Sequence, residues 1–239
     1  MDLTRKMSVD ILSAFDTSND RFPQIIKKYN KKNDVSHHQK KRLKATTNEI
    51  IRNRGLIDYI IEESSSRKIK NIQPKLKSIL RLGCYELLFD EIVPEFAAIH
   101  SSVELGKNLI NKKSGSIINA VLRNMQRKQN SDPSWVKSIK SKNLELSFPN
   151  WLIKKWRNQF GETNTKKLCK SFLKKSPMFL RVDTNQLSFK KTVSLLNQNE
   201  IEVKCEQGIL YLFPSWLEHY TRENQTNERI TLSFNTYYR

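Results

Sequence analysis

The sequence predicts a mainly α fold: a helical bundle over residues 1–130, linker helices over 131–176 and the start of a small α/β unit over 177–205. Through most of the first 175 residues, apolar side chains recur three and four positions apart, which is the spacing of amphipathic helices. Only short turn-forming segments separate most of these helices, so neighbouring helices are expected to pack together as a bundle. After residue 176 the spacing becomes that of strands around one further helix.

The first predicted helix carries the apolar residues from Val9 to Phe15, and the turn formers that begin at Asp16 end it. The basic stretch from residue 27 to 44 has few apolar residues and is expected to form a flexible connection, with His37 and His38 as a loop pair. The second helix is predicted from Thr46, with Thr47 or Asn48 as its N-cap, Gly55 inside it and residues 64–66 at its end.

Proline marks the next two helix starts, because it is well tolerated in a first turn. Pro74 precedes a helix over residues 76–89, in which Gly83 is expected to form a notch for another helix, and Pro94 opens a helix that reaches Leu109. Ser114 is the candidate cap of a fifth helix that ends near Lys128.

Further helices are predicted around Trp135 and Ile139, from Phe148 to a stop at Gly161, and over residues 165–175. In the last of these, Leu168 and Phe172 are expected to face inward, with Cys169 as a further candidate. Trp151 and Trp156 are expected in the core, with stacking on unpaired bases as the alternative. Strands are predicted at 178–182 and 201–205 around a helix at 188–197. Residues 206–239 are unassigned, and the polar run 221–229 is expected to be disordered.

Charge points to a polyanionic partner. The formal net charge is +19 and the isoelectric point about 9.9, and the excess lies in three segments, residues 21–44, 123–142 and 154–175. Five acidic residues between Leu82 and Gly106 meet no Lys or Arg, so an acidic region is expected as well. A nucleic acid is the favoured partner over a membrane surface, because no segment has the ~18 apolar residues that span a bilayer.

The same composition argues against several other classes of protein. The N-terminus lacks a signal-peptide apolar run, which predicts a cytoplasmic location. Cys84, Cys169 and Cys205 are widely spaced, so neither a disulfide framework nor a zinc site is indicated, and Cys84 is interpreted as a core residue.

Several segments carry a family resemblance: Leu80–Leu88, Val93–Pro94, Ser102–Lys107 and Ile118–Arg123. In their order and spacing they resemble the NusB-like RNA-binding fold and, more closely, the N-terminal half of the Sun/Fmu family of ribosomal RNA cytosine-C5 methyltransferases. Pro149–Leu152 and Pro177–Thr184 look like the linker helices and first strand of that family, so the resemblance covers roughly residues 5–205.

The resemblance implies a function in recognising 16S ribosomal RNA for cytosine-C5 methylation. Members of the family place S-adenosylmethionine on a glycine-rich turn and attack cytosine with a cysteine beside proline. Here the six glycines are far apart and no cysteine adjoins a proline. We therefore expect a truncated or split product that lacks the catalytic domain, is inactive alone, and meets the cofactor only if a catalytic domain is supplied elsewhere.

The candidate RNA-binding residues lie in three groups. The first group, the N-terminal basic surface, consists of Arg5, Lys6, Lys40, Lys41, Arg42 and Lys44. The second group, at the end of the fifth predicted helix, consists of Arg123, Arg127 and Lys128. The third group, in the linker helices, consists of Lys154, Lys155, Arg157, Lys166 and Lys167. Arginine is preferred over lysine because its planar fork grips phosphate and stacks on bases. No catalytic, cofactor or metal residue is proposed.

Two alternatives remain open. One is a NusB-like transcription antitermination or ribosome-assembly factor, whose acidic region from Glu86 to Glu104 meets a basic ribosomal protein. The other is an enzyme whose catalytic half is a separate polypeptide that docks on residues 178–205, where the two predicted strands would offer an unpaired edge.

Overall fold

The fold is known from a computed structural model that describes residues 2–32, 35–174 and 188–198. Contacts divide the chain into two compact units, residues 1–175 and 176–239. The described part is mainly α, as predicted, and contains no strand. The predicted strands 178–182 and 201–205 and the tail 206–239 lie outside the described residues, while the helix predicted at 188–197 is confirmed as Phe189–Gln198.

The first unit is built from nine α-helices within the described ranges, with 3-10 turns at Ile69–Asn71 and Leu144–Ser147. In chain order the α-helices are α1 (Leu3–Thr17), α2 (Phe22–Lys32), α3 (His37–Arg52), α4 (Arg54–Ser65), α5 (Pro74–Leu88), α6 (Glu95–Leu109), α7 (Lys112–Ser131), α8 (Trp135–Lys142) and α9 (Asn150–Phe172). The helix of the second unit is α10 (Phe189–Gln198). The bundle of α1–α7 therefore has two more helices than the five predicted.

The flexible connection predicted over residues 27–44 is wrong, because that region forms the second half of α2 and the first half of α3. Their few apolar side chains, among them Ile25, Val35 and Leu43, pack with one face of α1 in a small second core. A capping box starts α3: the Ser36 hydroxyl accepts from the Gln39 amide and the Gln39 side chain accepts from the Ser36 amide. His37 and His38 consequently lie in the first helical turn and are not a loop pair.

Two predicted caps are also wrong. Thr47 lies in the middle of α3, where its hydroxyl donates to the Leu43 carbonyl at 2.7 Å, and the helix breaks later, at Asn53. The cap of α7 is Asn111, whose side-chain oxygen accepts from the Ser114 amide at 2.8 Å. The Thr47 hydroxyl thus bonds a carbonyl inside α3, whereas the Ser114 hydroxyl donates to the side-chain oxygen of the cap, Asn111, at 2.9 Å.

The main core is centred on α5, which packs against α1, α4, α6 and α7. The predicted notch at Gly83 is confirmed, because a Cβ there would lie 2.7 Å from both Leu122 Cδ1 and Ser102 Oγ. Cys84 is fully buried beside it, as expected.

A buried ion-pair network fastens three helices of the bundle. Arg81 of α5 is 3% exposed and grips Asp58 of α4 with two hydrogen bonds of 2.6 and 2.7 Å, while its Nη1 donates to Asp16 at the end of α1 at 2.7 Å. Burial alone would raise the pKa of Asp16, but its bonds to Lys77 and Arg81 prevail and lower it.

Helix α9 folds back on itself at Gly161. This glycine has φ 76° and ψ 168°, a backbone conformation that favours glycine. A straight helix would separate Trp156 and Phe172 by about 24 Å, yet their rings stack with centroids 5.6 Å apart, and Phe148 meets Trp156 edge-on. Residues 150–160 and 162–172 are therefore two helical arms of a hairpin, called the first and second arm below. The second arm buries Thr165, Cys169 and the adjoining Leu173, whereas Phe172, predicted to face inward, is 54% exposed.

The hairpin joins the bundle through the 3-10 turn Leu144–Ser147, which packs on both α4 and α9. The turn lies directly on Gly55, where a Cβ would come within 1.8 Å of the Leu146 carbonyl oxygen. Only a residue without a side chain permits this contact between the turn and α4.

Candidate nucleic-acid interface

The predicted cations of α1 and α3 are brought together because these two helices pack side by side. Arg5, Lys41 and Arg42 line one cleft of about 610 Å³, whose floor is formed by α5. Lys41 and Lys44 are exposed, and Lys6 and Lys40 are half-buried. Three of the six residues of the N-terminal basic surface therefore share this cleft.

Arg5 is tied into the protein. Its Nε lies 3.0 Å from Glu86 Oε1 and its Nη1 donates to Ser101 Oγ at 2.6 Å, so its guanidinium joins α1 to α5 and α6. Burial raises the pKa of Glu86, which is 4% exposed, although Arg5 acts in the opposite direction. Arg42 pairs with Asp90 at 3.2 Å across the same cleft. Both arginines would have to exchange a carboxylate for a phosphate in order to bind RNA.

The cations of α7 lie on a helix that packs chiefly on α4, α5 and α6. Arg123 and Arg127 are exposed, one helical turn apart, and within the described chain neither has a carboxylate partner. Arg123 bonds only the Gln126 side chain, at 3.0 Å. Lys128 is engaged, since its ammonium lies 3.0 Å from Glu63 and 5.3 Å from the centre of the Trp135 ring.

Within the described chain, the cations of the hairpin likewise divide into those that pair with carboxylates and those that do not. Arg157 holds Glu145 at 2.5 Å and Glu162 at 2.9 Å, and Lys166 also pairs with Glu162 at 3.3 Å. Lys154, Lys155 and Lys167 are exposed. Over residues 2–32, 35–174 and 188–198, none of these three forms an ion pair.

The predicted site residues thus divide into those held by carboxylates and those that are not. The first set is Arg5, Arg42, Lys128, Arg157 and Lys166. The second set, called the free cations below, is Lys6, Lys40, Lys41, Lys44, Arg123, Arg127, Lys154, Lys155 and Lys167. Three of the five predicted arginines, Arg5, Arg42 and Arg157, are engaged in ion pairs within the protein.

One aromatic residue was placed wrongly by the sequence. Trp156 packs in the hairpin as expected, but Trp151 is 63% exposed. The sequence contained a signal for this exposure. Lys154 and Lys155 follow Trp151 by three and four residues, and residues at this spacing share one face of a helix.

No cluster of three or more metal-ligating side chains occurs within the described ranges, and none of the helices found there is both long and apolar enough to cross a membrane.

Comparison with known protein families agrees with this architecture. Residues 2–127 match the NusB family, so the chain belongs to that family. Residues 148–210 match the ferredoxin-like domain of RsmF/B-like methyltransferases. The combination confirms the resemblance noted in the sequence.

The relatives of this chain include proteins named as methyltransferases. A probable ribosomal RNA small subunit methyltransferase B of Bacillus subtilis is 29% identical over 188 residues, which are 78% of this chain and 41% of the relative. A probable ribosomal RNA small subunit methyltransferase B of Synechocystis is 28% identical over 62% of this chain and 34% of its own length. The chain therefore spans less than half the length of these relatives.

Two solved structures share the fold. One, described as the crystal structure of a plectonemic RNA supercoil, superposes with a TM-score of 0.51 at 22% identity and covers 54% of this chain and 95% of its own. The other, of PH0851, has a TM-score of 0.54 at 16% identity and covers 87% of this chain and 47% of its own. At these identities the likeness concerns the fold alone.

Proposed function

We propose that this chain is the ribosomal-RNA-binding portion of a small-subunit ribosomal RNA cytosine-C5 methyltransferase of the Sun/Fmu type. The observation that carries the proposal is the set of free cations, which occupy α1 and α3, α7 and α9 on a bundle of the NusB family. A solvated cation that lacks a carboxylate partner can bind phosphate without first breaking an ion pair. The names of the relatives make ribosomal RNA the first RNA to test.

Filter binding to small-subunit ribosomal RNA fragments over a series of salt concentrations tests the proposal. Each phosphate contact that releases a counterion contributes about 0.7–0.9 to the slope of log affinity against log salt. The double variant Arg123→Glu and Arg127→Glu should weaken binding and reduce the slope by about one to two.

The matched control is Lys68→Glu with Lys107→Glu, which makes the same change in net charge at exposed lysines outside the proposed surfaces. Binding that does not depend on salt, or equal losses in the two double variants, would refute the electrostatic account.

We further infer that methyl transfer does not use the cysteines in the described part of this chain. Cys84 and Cys169 are buried, and burial raises the pKa of both thiols. A nucleophilic cysteine needs the opposite, a stabilised thiolate that can reach the base. The widely spaced glycines of the sequence also lack the pattern of a cofactor-binding turn.

Calorimetry with S-adenosylmethionine, and transfer of its labelled methyl group to ribosomal RNA, test this inference. We expect neither binding nor transfer by this polypeptide alone, and transfer only when a catalytic domain is added. With the catalytic domain added, transfer that persists in a Cys84→Ala and Cys169→Ala variant would show that other residues carry out the chemistry. Loss of transfer in a variant that still folds would contradict the inference.

A second candidate function, a NusB-like antitermination or ribosome-assembly factor, is favoured by the acidic region. Ile92 and Phe96 are 76% and 71% exposed and lie beside the exposed Glu91 and Glu95. An apolar patch with an acidic rim fits a basic protein. Co-purification with a ribosomal protein that is lost on reversing both charges, Glu91→Lys and Glu95→Lys, would raise this function above the first. Retained association would count against it.

A further inference from the structure

One face of the first arm combines a free aromatic ring with free polar groups. Trp151, Lys154, Lys155, Asn158 and Gln159 follow the spacing of a single helical face and line one shallow surface depression. The opposite side of the arm is the packed side, where Ile153 is buried and Trp156 stacks on Phe172. The free face therefore points away from the hairpin interior.

The side chains of this face form no hydrogen bond, ion pair or ring contact with the rest of the described chain. No ring, cation or carboxylate of the described residues contacts the Trp151 indole or either lysine, and the amides of Asn158 and Gln159 form no hydrogen bond there. The two other described tryptophans differ: Trp135 carries the Lys128 ammonium over its ring and Trp156 carries a phenyl ring. Among the described tryptophans, only Trp151 has neither a cation nor another ring over it.

Charge separates Trp151 from Ile92 and Phe96, the two described apolar side chains that are more exposed than it is. Ile92 and Phe96 lie beside Glu91 and Glu95, where a phosphate backbone would be repelled. Trp151 instead lies one helical turn from two lysines. An indole flanked by cations fits a nucleic-acid strand whose bases are unpaired, because stacking uses the face of a base and the cations hold the neighbouring phosphates.

We propose that this face binds a single-stranded segment of RNA, with one unpaired base stacked on Trp151 and the adjoining phosphates on Lys154 and Lys155. The amides of Asn158 and Gln159 supply donors and acceptors for the edge of that base or for a 2′-hydroxyl. This site rests on the proposed function and adds that the hairpin recognises RNA in single-stranded form. A duplex would not satisfy it, since paired bases keep their faces inside the helix.

The test measures affinity for a short uridine-rich RNA strand, for the same strand with abasic positions, and for a duplex. Trp151→Ala should weaken binding of the intact strand roughly tenfold and leave the affinities for the abasic strand and the duplex unchanged. The salt slope should not change, because no cation is lost. Phe96→Ala is the matched control, an exposed aromatic residue in acidic surroundings, and should change nothing.

Lys154→Ala with Lys155→Ala should behave differently, weakening the intact and the abasic strand alike and lowering the salt slope by about one to two. If the wild-type chain binds no RNA at low salt, the proposed function fails. If it binds RNA with a normal salt dependence but the Trp151→Ala variant matches the wild type on every strand, only the stacking site fails. A large drop in melting temperature for Trp151→Ala would show that the indole is a packing residue and would overturn the site.

Discussion

Replacing Gly55 with alanine should loosen the hairpin from the bundle. The added Cβ would lie 1.8 Å from the Leu146 carbonyl oxygen and 2.8 Å from the Ser147 amide nitrogen, so the obstacle is backbone. The turn must retreat by about 1.2 Å before the shorter contact reaches the 3.0 Å that real Cβ atoms keep. Overpacking of this kind costs about 1–3 kcal/mol.

The effect should be local. Alanine favours a helix by about 1 kcal/mol over glycine, so α4 itself should not be weakened. We therefore expect the cost to fall on the attachment of residues 144–172, whose backbone amides should exchange with deuterium roughly 5- to 150-fold faster at 1–3 kcal/mol. Amides of α5 and α6 should keep their protection.

Hydrogen exchange read by mass spectrometry separates these regions directly. Gly115→Ala is the comparison variant, because its nearest obstacle is Lys107 Cγ at 2.6 Å, part of a long side chain that can move. It should leave the exchange of residues 144–172 unchanged. Unchanged exchange of these residues in Gly55→Ala, or equal acceleration across the whole bundle, would refute the assigned contact between the turn and α4.

Other changes probe the bundle. Arg81→Met leaves the Asp58 carboxylate unpaired and should lower the free energy of unfolding by about 3–5 kcal/mol in urea titrations, and a loss below about 1 kcal/mol would contradict the buried pair. Burial raises the pKa of Glu86 above its ordinary value of 4.5, so the folded state holds this proton more tightly than the unfolded state does. The wild type should therefore lose stability as the pH rises above 4.5. The melting temperature of the Glu86→Gln variant should not fall over this pH range. The same fall in the variant would mean that other groups cause it. Ser36→Ala removes half of a capping box and should cost about 1 kcal/mol in the same titrations, and no loss would contradict the cap.

Local patterns predicted the centre of the bundle well. Pro74 and Pro94 mark real helix starts, and Gly83 is a real packing notch, because each acts on atoms within a turn or two of its own position. Helices α2 and α3 were missed because lysines outnumber the residues that fill the second core. A few well-placed apolar side chains, such as Ile25 and Leu43, suffice when another helix covers them.

The candidate site was predictable in outline only. Charge runs suggested most of the candidate cations, although Arg5 and Lys6 lie outside them. The pairing of Arg5 with Glu86 joins residues 81 positions apart, which no local spacing reveals. The outward face of the first arm depends on how the hairpin closes at Gly161, and the sequence predicted only a helix stop there. Which cations stay free is therefore a property of the tertiary fold.

The fold-back at Gly161 has a consequence for how the chain is assembled during its synthesis. Its closing contacts link residues within one short stretch, such as Trp156 and Phe172, so the hairpin can collapse as soon as both arms have been translated. Helix α7, the last helix of the α1–α7 bundle, is translated earlier. When the hairpin forms, α4 and its contact with the turn at Leu144–Ser147 are therefore already available, and docking of the hairpin becomes the final event in building this unit.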